Sequence, residues 1–110
     1  LATESAVVGT ETLDFLSRFH VDRCMIGASG LSRDGPSETV RGFAAVKRMM
    51  LRQSDRRELL IDSPKFGRKD FAVFGSLEEL QTVGVDVKAR GELLGELERA
   101  GVRILTAEKN

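Results

Sequence analysis

The chain has 110 residues, 17 Lys plus Arg against 17 Asp plus Glu, 41% apolar residues and 5% aromatic ones, so one small folded domain is expected. Disorder is disfavoured, because the net charge is zero and the apolar residues recur in short clusters; no apolar run approaches the ~18 residues that a membrane span needs. Cys24 is the only cysteine, which excludes an intramolecular disulfide and a Cys-rich zinc site and, with no secretory signal pattern, points to a reducing cytoplasm.

Leu1 opens the chain without a methionine, and the first nine residues carry no strong periodicity, which suggests a piece of a longer polypeptide. From Thr10 or Thr12, both usable as N-caps, the spacing of Leu13, Phe15, Leu16 and Phe19 predicts a helix that ends near His20. Arg23 to Ala28 is short, apolar and bounded by Gly30, as a buried parallel strand would be. The Gly-, Ser-, Asp- and Pro-rich stretch Ser29 to Ser37 reads as a loop, and a helix is predicted from about Glu38 to Ser54.

Leu59 to Ile61 reads as a second buried strand, closed by Asp62-Ser63-Pro64 because proline removes a ladder donor. Phe71 to Phe74 is a candidate short strand, Ser76 to Glu79 matches a capping box that opens a brief helix, and Val83 to Asp86 reads as a strand. Leu93, Leu94, Leu97 and Ala100 line one side of a last helix, Gly101 sits where a C-cap belongs, and Val102 to Leu105 is a final strand. Strands alternating with helices through short connections imply right-handed crossovers and an α/β domain whose parallel sheet is covered on its faces.

Ligands of an open parallel sheet collect beyond the C-terminal strand ends. That rule selects Gly27 to Gly30, Asp62 to Gly67, Asp86 and Thr106. Gly27 and Gly30 allow close backbone approach and free N–H groups for an anion, and Lys65, Arg68 and Lys69 add positive charge on a neighbouring loop; a tight turn without ligand and a solvated basic loop are the plainer alternatives. Lys47 falls inside the apolar stripe of Val40, Phe43, Ala44, Met50 and Leu51. A desolvated ammonium there needs a carboxylate such as Asp62, a wet ligand pocket, or an escape to solvent along its own stem.

Arg41, Arg48 and Arg52 read as a solvated or interface face rather than a nucleic-acid patch, because no aromatic residues interleave them. Cys24 reads as a core residue, His20 as a helix-end histidine, and Asp22 as a capping or structural group at the strand end away from any ligand. No motif calls for a cofactor or a metal ion. Zero net charge argues against strong DNA binding by this chain alone.

Phe19 to Leu31, the helix segment Val46-Lys47-Arg48, and Leu60-Ile61-Asp62-Ser63-Pro64-Lys65-Phe66-Gly67 together resemble the C-terminal sensor domain of the DeoR family of bacterial transcriptional regulators, from about residue 9 to the last strand. The resemblance implies a fold related to ribose-5-phosphate isomerase and CoA-transferase domains, in three layers and here partial, and a role in sensing a phosphorylated sugar. It also implies that residues 1–110 form one truncated sensor domain. The helix-turn-helix that binds operator DNA, and the first strand and phosphate loop of the sensor, would lie outside this chain.

Carried over by position, the ligand-side residues are Gly27, Ser29, Gly30, Lys47, Asp62 and Lys65, and homo-oligomers are expected. Pro64 departs from the hydroxyl residue usual before the lysine, and Gly42 and Phe43 depart from acidic helix positions. Isomerases of the fold hold acids where this chain has Ile26, Ser29 and Val46, which favours a sensor over an enzyme. An oligomerisation module that binds no ligand is the third reading.

Overall fold

The structure, a computed structural model, describes residues 10–87 and 89–107. The chain runs through helix α1 (Thr10–Leu16), strand β1 (Val21–Gly27), a hairpin of β2 (Gly30–Ser32) and β3 (Gly35–Glu38), helix α2 (Arg41–Arg52) and strand β4 (Ser54–Ile61). A 3-10 turn (Ser63–Lys65), β5 (Ala72–Val73), a second 3-10 turn (Leu77–Glu79), β6 (Thr82–Val85), helix α3 (Glu92–Arg99) and β7 (Arg103–Thr106) follow. The expectations for residues 1–9, and for the capping side chains of Thr10 and Thr12, fall outside the described set.

The main sheet is parallel throughout, in the order β1-β4-β6-β7, with Ile26 opposite Leu59, Leu59 opposite Val83, and Val83 opposite Ile104. Those paired residues point one way, and with Cys24, Ile61 and Val85 they meet Ala44 and Leu51 of α2, Leu93 and Leu97 of α3, and Leu31 and Phe74 of the small sheet β2-β3-β5 in a single core. The α/β class and the buried Cys24 therefore stand as predicted.

Cover on both faces is not seen among the described residues. The opposite face carries Met25, Leu60 and Leu105 at 55%, 50% and 46% exposure, so among the described residues β1 and β4 alternate instead of being buried throughout. Arg23 and Arg56 also stand on that face and grip Glu58 between them, at 2.8 Å and 3.6 Å.

Boundaries differ from expectation where tertiary hydrogen bonds override local preference. The first helix stops at Leu16, since the Gln53 amide donates to Ser17 O (2.6 Å) and Phe19 O (2.7 Å). His20 therefore lies beyond the helix, paired with Asp55 at 2.8 Å. The expected loop Ser29 to Ser37 is largely the β2-β3 hairpin. Glu38 belongs to β3, opposite Ala72, so the following helix begins at Arg41 rather than Glu38.

The last helix closes as read. Gly101 N donates to Glu98 O (3.1 Å) and Val102 N to Leu97 O (2.9 Å), the double bond of a Schellman cap. The Ser76–Glu79 capping box is present as well.

Candidate functional site

Parallel pairing aligns the C-terminal ends of all four main strands along one rim. Beyond β1 and β4 lies a cleft of about 330 Å³ lined by Gly27, Ala28, Ser29, Glu38, Lys47, Leu60, Ile61, Asp62 and Lys65. A second cleft of about 420 Å³ shares Asp62 and continues along the rim to Asp86 and Thr106. All four strand-end positions selected by sequence thus lie on this rim, although Asp86 is engaged structurally, its Oδ1 accepting the Ser63 N–H at 2.7 Å.

Five of the six expected ligand-side residues, Gly27, Ser29, Lys47, Asp62 and Lys65, line the smaller cleft. Gly30 does not. It is buried in β2, where a Cβ would stand 2.4 Å from Arg68 O, so its glycine is required by close packing of the hairpin against the loop after β4. The neighbouring Ser29 N–H donates to Ser37 O at 3.0 Å and is spent on the hairpin.

Lys47 reaches the cleft because Ala44 and Leu51, three residues before and four after, bury the same side of α2. Its ammonium donates to Gly27 O (2.7 Å) and to Glu38 Oε2 (2.6 Å), and lies over the Phe74 ring at 5.8 Å. The carboxylate partner is Glu38, not Asp62. Asp62 instead faces Lys65 across the 3-10 turn at 3.6 Å, and both of those side chains are open to solvent.

Glu38 is the cleft residue that sequence reasoning missed. Its position just before an apolar helical stripe made it look like a first-turn acid, whereas pairing of β3 turns it inward. Pro64 sits in the first turn of the 3-10 segment.

Behind the cleft a polar chain links it to the loop before β5. Asp70 N–H bonds Ser37 Oγ (2.9 Å), Ser37 Oγ bonds Gly30 O (3.4 Å), and Arg68 holds Asp70 Oδ1 (3.1 Å). Asp70 Oδ2 is buried without a fixed partner among the described residues. The Ser29 hydroxyl, placed 3.1 Å from Ser37 O, is the group able to turn to it. Turned to Asp70, the Ser29 hydroxyl is the main group, ahead of Arg68, that holds the carboxyl below its ordinary value against the opposing effect of burial.

A larger cleft, about 810 Å³, lies elsewhere, between the β2-β3 turn, the Phe66–Lys69 loop and α3. Two ion pairs stand in it, Lys69–Asp34 at 2.9 Å and Arg99–Glu96, and Arg33, Arg90 and Glu92 line it as well. Arg41 lies 5.3 Å from the exposed Phe71 ring, so its side of α2 is not free of aromatic contact as its own sequence suggested. No helix among the described residues is long and apolar enough to cross a membrane.

Residues 2–87 match the family model of the DeoR C-terminal sensor domain. The chain is 29% identical over 102 residues to the HTH-type transcriptional repressor GlcR of Bacillus subtilis (strain 168), covering 93% of this chain and 40% of that protein. It is 32% identical over 84 residues to the glycerol-3-phosphate regulon repressor of Escherichia coli (strain K12), covering 76% and 33%. It is also 29% identical over 101 residues to the HTH-type transcriptional regulator GlpR of Haloferax volcanii, covering 91% and 40%. The chain thus spans no more than 40% of the length of these curated relatives.

Proposed function

The chain belongs to the family of DeoR C-terminal sensor domains, and we propose that within it the cleft beyond β1 and β4 binds a phosphorylated sugar as the effector of a transcriptional repressor. The observation that carries this reading is the convergence of Lys47, from α2, and Lys65, from the turn after β4, on one strand-end cleft. Strand ends of open α/β sheets are where such ligands bind. Lys47 spends two of its three donors within the chain, leaving one for a phosphate or hydroxyl oxygen, and Lys65 is open to solvent. The relatives named above are repressors and regulators, and one is named for glycerol 3-phosphate.

Binding at the rim would bias the arrangement of subunits, and of a DNA-binding domain carried on the same polypeptide, and so change operator affinity through a coupling free energy. The role is sensing rather than turnover. Ile26, Ser29 and Val46 stand where isomerases of this fold hold acids, although the buried Glu38 is an observation on the side of an enzyme. A ribose 5-phosphate isomerisation assay decides between them. Absence of turnover is expected, and turnover lost in Lys65→Ala would establish the enzyme.

Ligand binding itself is read by thermal unfolding, because a ligand held only by the native state stabilises it, by about 2.7 kcal/mol at a hundredfold excess over Kd. Millimolar sugar phosphates are expected to raise Tm, and Lys65→Ala to abolish most of that rise. No rise with any phosphorylated sugar would remove the sensing function.

A further inference from the structure

We propose that Glu38 sets the specificity of this cleft: its carboxylate accepts hydrogen bonds from ligand hydroxyls and repels bare phosphate, so that the site selects polyhydroxylated monophosphates. The inference rests on the phosphorylated-sugar reading above and narrows it. Four charged groups line the cleft, Lys47 and Lys65 against Glu38 and Asp62, so their formal charges cancel. A site built to hold inorganic phosphate or a bisphosphate would keep a surplus of positive charge. A neutral site whose two ammonium groups each stand beside a carboxylate suits a ligand with one anionic group and several hydroxyl donors.

Glu38 is placed to read those hydroxyls. It is 7% exposed, held in β3 opposite Ala72, and its Oε2 is fixed by Lys47 at 2.6 Å. The second oxygen, Oε1, has no hydrogen-bond donor among the described residues. Glu38 is one of the residues that line the cleft, so this oxygen is the acceptor it can offer to a ligand there. A carboxylate oxygen fixed in this way is an acceptor only. Occupancy by a hydroxyl satisfies it, whereas a phosphate oxygen or a methylene leaves it unpaired, which costs affinity on the order of tenfold.

The test compares glycerol 3-phosphate and ribose 5-phosphate with propyl phosphate, pentyl phosphate and inorganic phosphate, by calorimetric titration of the wild-type chain and of Glu38→Gln. In the variant the amide oxygen must face Lys47, which turns an NH2 donor into the cleft. The wild type is expected to favour each polyol phosphate over its hydroxyl-free counterpart by about tenfold or more. Glu38→Gln should shrink that ratio and strengthen inorganic phosphate. Equal wild-type affinity for the polyol and alkyl phosphates would overturn the role of Glu38 even if the variant fails to fold. An unchanged ratio in a folded variant would do the same, and in both cases the phosphate site itself would stand. Failure of every phosphate to bind either protein would remove the site, and this specificity with it.

Discussion

Lys47 shows what a single side chain in the wrong-looking place can report. An ammonium inside an apolar stripe required a partner, and it has one, yet sequence spacing alone pointed to Asp62 while the hairpin delivered Glu38. With the lysine and glutamate side chains 24% and 10% exposed, breaking the pair leaves a poorly solvated carboxylate. Lys47→Met is therefore expected to cost about 3 kcal/mol, upward of ~12 °C in Tm for a domain of this size. The double variant Glu38→Gln/Lys47→Met should cost less than the sum of the single changes. Additive losses in urea unfolding would show that the pair contributes no coupling.

Ser29 and Asp70 give a pH signature at the same scale. Because the folded carboxyl titrates below its ordinary value of 3.8, the stability it contributes is present above that pH and disappears as pH falls through the folded value. Ser29→Ala removes the main cause of the depression. The variant should be less stable than wild type at neutral pH, and the difference should close well below pH 3.8. Urea midpoints at the two pH values check this, and a gap that persists in acid would place the effect elsewhere.

Among the elements, those set by local chemistry were legible and those set by pairing were not. The capping box at Ser76 and the stop at Gly101 are short-range devices, and both are where the residues put them. The sequence places strand β4 at Leu59 to Ile61, whereas it begins at Ser54 and takes in Asp55, Arg56, Arg57 and Glu58. They extend the strand because Arg57 bonds Glu79 O and Ser54 O, while Arg56 and Glu58 pair on the open face.

The β2-β3 hairpin did have a signal, the Asp34-Gly35 pair that favours tight turns. The loop-like composition around that pair masks it. Gly35 has a φ of +118°, and a Cβ there would stand 1.9 Å from Gly75 O. Gly35→Ala is accordingly expected to destabilise by about 3 kcal/mol, with the loss visible as a lowered urea midpoint. A cost below about 1 kcal/mol would mean that the hairpin yields easily.

For the molecule as a whole, the parallel direction of the main strands followed from alternation and short connections, and so did the strand-end rim, where five of the six residues implied by the family resemblance meet. What the residues could not reveal was the open face. A strand buried on both sides and one buried on a single side look alike when Met25 and Leu60 are apolar either way. The chain should bind a dye specific for exposed apolar surface, and Leu60→Lys with Leu105→Lys should reduce that signal without lowering helix content. Unchanged dye binding would locate the exposed surface elsewhere.

The central claim concerns where a phosphorylated sugar sits, and amide chemical-shift mapping during a titration with glycerol 3-phosphate tests it most directly. Shifts confined to Gly27 to Ser29, Lys47 and Asp62 to Lys65 are the predicted result. Shifts gathered instead around Arg33, Arg90 and Arg99, or none at saturating ligand, would contradict it.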